Sequence, residues 1–147
     1  MSAAFPAALS QKNTTIMSVY QTTAQSLTDS TWTTLVHQAK EVDTCNGYNT
    51  STGRYTPNVA GWYQINGQMY NNGGPSYLQV YKNGNPVKYG GHGPNQIVQL
   101  NALVYLNGTS DYITLVGYQG SGGAGATVIS VPQCNYFQAF WVTSGTP

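Results

Sequence analysis

Apolar residues recur at every second position along most of this chain, and no stretch carries the three-and-four spacing of an amphipathic helix. The clearest run is Val98, Leu100, Ala102, Val104 and Leu106, with mostly polar Gln99, Asn101 and Tyr105 between them. A period of two sends successive side chains to opposite faces, so the run predicts a half-buried antiparallel strand. Tyr77–Lys82 alternates in the same way, with Leu78 and Val80 on one face and Tyr77, Gln79 and Tyr81 on the other. It runs into Asn83-Gly84, which predicts a two-residue hairpin turn because both residues tolerate positive φ. Asn107-Gly108 separates the strand ending at Leu106 from the next, Tyr112–Tyr118. Further strands are predicted over Ser18–Gln25, Thr31–Gln38, Trp62–Tyr70, Ala126–Val131 and Tyr136–Thr143.

About eight to ten short strands without a crossover helix predict an all-β fold, an antiparallel jelly-roll sandwich, because two sheets must cover each other's apolar faces. The 147 residues fit one domain, expected over 16–147. Residues 1–15 show no periodicity and read as a flexible N-terminal arm. Phe5, Leu9 and Lys12 are its candidate docking residues. Asn71–Pro75, Gly90–Gln96 and Gly120–Gly125 read as loops.

Composition narrows the function classes. Charged residues make up 6% of the chain, where an average globular protein has roughly 25%. A net charge of +1 leaves no electrostatic footprint for nucleic acid or for an anionic membrane. No apolar run approaches the ~20 residues of a membrane helix, so no membrane insertion is expected. The first residues lack a basic start and a long apolar stretch, so no secretory signal is expected. Asn, Gln, Ser, Thr and Gly carry the polarity instead, which suits an extracellular or particle-bound protein.

The chemistry available for catalysis is thin. Only His37 and His92 offer bases. His37 shares the parity of Leu35 in a predicted strand and reads as a satisfied strand histidine; His92 lies in a Gly/Pro-rich loop with no carboxylate near it in sequence. Glu41 and Asp43 share a parity, but the four acidic residues supply few of the six to eight oxygens that calcium takes. Cys45 and Cys134 are too far apart in sequence for a zinc or redox motif, leaving either one disulfide or two free thiols. No catalytic residue, metal site or cofactor is expected, and the chain reads as a non-enzyme.

The segment Asn46–Met69 resembles the signature of the globular head of complement component one q, a family whose relatives include the tumour necrosis factor-like jelly rolls. The matching residues are Thr52-Gly53, Tyr55, Pro57, Gly61, Tyr63 and Ile65. Tyr81–Val87, Leu103–Tyr118 and Asn135–Val142 resemble the family's middle hairpin, its paired strands and its closing strand, in the family's order. Three features depart from the pattern. Ile65 stands where an aromatic is usual, the turn Asn107–Asp111 is longer than the family's, and there is no collagen-like Gly-x-y stalk. The charge-poor, Thr/Asn/Gly/Tyr-rich style looks more like jelly rolls of this type on bacteriophage particles, as decoration, head-fibre or tail-fibre proteins. The resemblance implies a homotrimer.

Tyrosines line strand faces where a monomer would show charge. Tyr77, Tyr81, Tyr105, Tyr112 and Tyr118 are therefore the candidate trimer interface, since Tyr is enriched in interfaces and tolerates a wet edge. Asn71, Asn72, His92, Asn95 and Ser121 are the candidate ligand residues of the outward loops. The expected function is a non-enzymatic virion structural and recognition protein, a homotrimer on the virion surface. It would contact other virion proteins through its arm and a host-surface glycan through its loops. The alternative is a free-standing, secreted, lectin-like carbohydrate-binding module.

Overall fold

The computed structural model describes residues 15–94, 97–129, 131 and 133–147. The chain is all-β, and among the described residues there is no helix. Its strands are β1 (Ile16–Tyr20), β2 (Ser26–Leu27), β3 (Thr33–Thr34), β4 (Ala39–Asp43), β5 (Tyr48–Asn49), β6 (Arg54–Tyr55) and β7 (Gly61–Tyr70). They continue as β8 (Ser76–Lys82), β9 (Asn85–Gly93), β10 (Ile97–Leu106), β11 (Ile113–Gln119), β12 (Gly125–Ala126) and β13 (Tyr136–Thr143). One sheet of five strands runs β10-β7-β13-β1-β4. A second of six strands runs β5-β6-β11-β8-β9, with β3 paired to β11, and β12 pairs with β2. All pairings are antiparallel.

The period-two pattern explains how the layers close. Met17, Val19, Tyr63, Ile65, Met69, Leu100, Val104, Phe137 and Ala139 point inward from the five-stranded sheet. Leu78, Val80, Ile113 and Leu115 meet them from the other sheet. Two glycines set the spacing of the layers. A Cβ on Gly67 would stand 2.7 Å from the Leu115 side chain, and one on Gly117 would strike the Met69 sulfur. The hairpin turn forms as its sequence predicts, with φ of 53° at Asn83 and 82° at Gly84.

The central strands match expectation and the periphery does not. The predicted strand Ser18–Gln25 ends at Tyr20, where the Gln21 side chain turns away to donate to the Val36 carbonyl. Only Thr33–Thr34 of Thr31–Gln38 joins a ladder. Beyond it Val36 N donates to Gln25 Oε1 and His37 N to the Tyr48 hydroxyl, so side chains replace strand partners. Among the described residues of Ala126–Val131, Ala126 lies in a strand and Thr127 only in an isolated bridge to Asn71. Conversely, β4 was not anticipated, and of β9 only the start was, as the return strand of the Asn83-Gly84 hairpin. Both are sheet edges with little to bury, so their sequences lack alternation. The stretch Gly90–Gln96 is therefore no single loop, because β9 runs through Gly93.

Thr15, the last residue of the expected arm, is tied to the sheet. Thr15 is buried and its carbonyl accepts the Trp141 N–H. The rest of the expected arm, with Phe5, Leu9 and Lys12, lies outside the described residues. Both cysteines are free. The Cys134 thiol donates to the Val128 carbonyl at 2.9 Å, and Cys45 lies 3.6 Å from the Tyr55 hydroxyl.

Candidate functional site

The two sheets turn different chemistry outward. On the five-stranded sheet, strand register lines up side chains in rows that cross four strands. Leu103, Gln64, Phe140 and Ile16 form one row; Asn101, Asn66, Gln138 and Ser18 the next; Gln99, Gln68, Tyr136 and Tyr20 a third. Tyr105 faces Trp62 at one end, their rings 5.8 Å apart. None of β1, β7, β10 and β13 contains a charged residue. Leu103 is 46% exposed and Phe140 39%, and Val142 at the end of β13 is 48% exposed. The amides bond within the layer, Gln99 Nε2 donating to Gln68 Oε1 at 2.7 Å and Gln138 Nε2 to the Ser18 hydroxyl at 3.1 Å. A face so free of charge has the composition of an interface core, where ionic side chains are depleted.

The six-stranded sheet is broken into two features. At one end, Tyr77 and Tyr118 face each other in register and their rings meet edge to face at 5.2 Å. Trp32 packs on Tyr118 at 5.2 Å, and His92 stacks on Tyr77 at 4.4 Å. His92 belongs to β9 and is paired with Tyr77, which is what brings the two rings parallel. At the other end lies a cleft of about 330 Å³ lined by Arg54, Tyr81, Tyr112, Thr34, Thr52 and Thr114. The Arg54 guanidinium sits 4.2 Å above the Tyr112 ring.

This placement separates the five candidate interface tyrosines. Tyr77 and Tyr118 belong to the aromatic cluster, Tyr81 and Tyr112 to the cleft, and Tyr105 alone to the other sheet. One flat interface cannot hold all five. Alternation tells which residues share a face of one strand and is silent on which sheet the strand joins. The loop candidates divide as well. Asn71 is buried; its Oδ1 accepts Gly73 N and its Nδ2 donates to Ser76 Oγ, both at 2.8 Å, so it builds the loop from within. Asn72 is exposed while its Oδ1 holds Ala126 N, and exposed Ser121 donates to Gln119 Oε1 at 2.6 Å. Asn95 lies outside the described residues. Sequence reasoning missed Trp32 and Arg54. A lone Trp in a threonine-rich stretch and a cation without a near acidic neighbour were the available signals.

The groups weighed for catalysis are occupied elsewhere. His37 is fully buried, with Nδ1 3.0 Å from the Tyr48 hydroxyl and Nε2 without a partner among the described residues. It is therefore not the fully satisfied histidine expected, and burial lowers its pKa to about 3. Glu41 accepts the Ser18 hydroxyl at 2.6 Å. Asp43 takes Gly47 N, Tyr48 N and the Lys40 ammonium. Burial alone would raise the Asp43 carboxyl, but these hydrogen bonds and the Lys40 charge outweigh it and hold it below its ordinary value. Among the described residues no three His, Cys, Asp or Glu side chains group to hold a metal, and no helix is long and apolar enough to cross a membrane.

The architecture has known counterparts. The globular domain of zebrafish complement 1qA protein superposes with a TM-score of 0.67 at 16% identity, over 90% of this chain and 100% of that one. Murine APRIL gives 0.66 at 12% identity, over 88% and 100%. Rabbit GITRL gives 0.52 at 16% identity, over 70% and 81%. No protein-family model matches the sequence. No curated protein matches it either. The chain thus has the jelly-roll fold of the complement-head and tumour-necrosis-factor type, as its sequence resemblance implied, and the likeness establishes the fold alone.

Proposed function

We propose that the chain is a non-enzymatic recognition module that assembles as a homotrimer through its five-stranded sheet and decorates the outside of a phage or virus particle. One observation carries the assembly: an outward sheet face of four strands without an ionic side chain, with Leu103, Phe140 and Val142 open to water. Turning that face toward a threefold axis, against a different patch of the next copy, buries the apolar rows and lets the amide rows bond across the contact. The resemblance to trimeric jelly rolls supports the number three. Assembly leaves the six-stranded sheet outward, with its aromatic cluster and its cleft, to meet a host-surface glycan. The charge-poor composition supports a place on a particle's exterior, and the segment with Phe5, Leu9 and Lys12 is the attachment to other virion proteins.

Immunogold electron microscopy of the virus preparation carrying this protein tests the placement. Label on intact particles, lost when residues 1–14 are deleted, is the expected result. Label confined to the particle-free supernatant would overturn the virion placement and leave the free-standing lectin-like module in its stead.

A further inference from the structure

Arg54 differs from Lys40 and Lys82 in having no carboxylate partner, and from the equally unpaired Lys88 of edge strand β9 in sitting over an aromatic ring beside a cleft. Lys40 and Lys82 are each paired with a carboxylate, Asp43 at 2.7 Å and Asp111 at 2.8 Å. Arg54 makes no ion pair and no side-chain hydrogen bond with any described residue. Its position is nonetheless fixed. β6 pairs it with Asn49, and the Tyr112 ring supports the plane of its guanidinium at 4.2 Å. The cleft beside it is lined by five hydroxyl groups, those of Thr34, Thr52, Thr114, Tyr81 and Tyr112. None of these hydroxyls has a hydrogen-bond partner among the described residues. Elsewhere in the chain, polar side chains are consumed in building loops: Asn107 Oδ1 alone receives the N–H groups of Thr109, Ser110 and Asp111. A supported, uncompensated cation and five uncommitted hydroxyls therefore converge on one concave space, whose 330 Å³ lies in the size range of small-molecule sites.

The geometry points to this cleft as a binding site for a carboxylate-bearing saccharide, such as a uronic acid unit of a polysaccharide. A planar guanidinium receives a carboxylate through two parallel N–H···O bonds, with a direction that a lysine ammonium does not impose. Threonine and tyrosine hydroxyls both donate and accept, which suits the hydroxyls of a sugar ring. The tyrosine rings supply the apolar walls against which the C–H face of a sugar lies. Every charged group at the cleft is positive, so an acidic sugar is favoured over a neutral one by charge complementarity. The inference rests on the chain being a recognition module and is independent of where that module is mounted.

Isothermal titration of the full chain with digalacturonic acid, its neutral analogue digalactose, galactose 1-phosphate and tetraglycine tests it. The diuronate is expected to bind about tenfold or more tightly than digalactose, the worth of one charged hydrogen-bonded pair. Arg54→Gln should erase that preference, Arg54→Lys should restore part of it, and added salt should weaken it. Equal affinity for the uronate and the neutral sugar, or a preference untouched by Arg54→Gln, would overturn the site. Tighter binding of the sugar phosphate or of tetraglycine would overturn the assignment to a carboxylated sugar. Native mass and thermal unfolding of Arg54→Gln should match the parent protein, because Arg54 is exposed and lies off the five-stranded sheet. A failed titration with an intact trimer thus refutes the site, whereas a lost trimer refutes the assembly.

Discussion

The outward side of the five-stranded sheet is continuous, with rows of amide and apolar side chains running unbroken across β10, β7, β13 and β1. That of the six-stranded sheet is divided between a ring cluster and a cleft. A continuous, uncharged face suits another flat protein surface, and a divided face with an uncompensated guanidinium suits a small ligand. The difference also shows that one strand parity does not place aromatic side chains on one sheet. Four of the five tyrosines singled out from the sequence sit on the divided face, while Leu103, Gln64, Asn66 and Phe140, which drew no notice, build the continuous one.

The two faces share a core, so the largest perturbation is one that breaks both at once. His37 lies at the seam, its ring 6.1 Å from Tyr48 of the six-stranded sheet and 6.1 Å from Phe137 of the five-stranded sheet. Burial holds its pKa at about 3 in the folded chain, against an ordinary 6.5. Between those values the unfolded chain takes up a proton that the folded chain refuses, so stability falls as pH drops through this window. At 1.36 kcal/mol per unit, the loss is of order 3 kcal/mol by pH 4. Urea midpoints at pH 7, 5.5 and 4.5 should fall steadily in the parent, and His37→Phe should flatten that slope. A parent slope that survives the substitution would assign the acid sensitivity to another group. The carboxylates act lower. Asp43 and Asp111 are both held below their ordinary 3.8, so their contributions are present above that value and vanish beneath it.

Somewhat smaller is the effect of forcing the layers apart. Gly117→Val places a branched side chain against the Met69 sulfur and Leu35, and should cost about 2–3 kcal/mol in denaturant unfolding. Native mass and ligand binding should fail together on warming, since neither face survives without the sandwich. Loss of one before the other would mean that the sheets hold their shape independently.

Asp111→Asn affects the sheet margins more gently. The carboxylate accepts Lys82 Nζ, Asn83 Nδ2 and Asn107 N, while Lys82 also donates to the Tyr105 carbonyl on β10, so one ion pair ties the end of β8 to the other sheet. Burial would raise the Asp111 carboxyl, but its bonds to Lys82, Asn83 and Asn107 prevail and hold it low. Asp111→Asn should lower stability by about 1.5 kcal/mol at pH 7 and by less below pH 4, where the parent carboxyl protonates. Thermal melts at the two pH values separate these cases. The smallest effect is expected at the ring cluster, where Trp32→Ala should cost about 1 kcal/mol or less and leave the native mass unchanged. A large loss there would make the cluster part of the core.

Legibility in the sequence followed burial. β7, β8, β11 and β13 lie inside the sheets, and β10, although an edge strand, also covers one face, so their alternation announces them within a residue or two. The edges β4 and β9 bury almost nothing, so Ala39–Asp43 and Asn85–Gly93 carry no periodic trace. Gln21, Gln25 and Tyr48 replace ladder partners with side-chain bonds, a substitution that periodicity cannot register. The site was harder still. Arg54 meets Tyr112 only because β6 pairs with β11 across a long stretch of chain, and His92 reaches Tyr77 only through an edge strand. Sheet assignment is the missing quantity in each case.

The direct test of the account is native mass, measured by light scattering after size exclusion, for one double variant on each face. The parent and Tyr77→Asp/Tyr118→Asp should both elute at about three times 15.8 kDa, and Leu103→Asp/Phe140→Asp should elute as a folded single chain. A trimer that persists in the Leu103/Phe140 variant, or one lost in the Tyr77/Tyr118 variant, would contradict assembly through the five-stranded sheet.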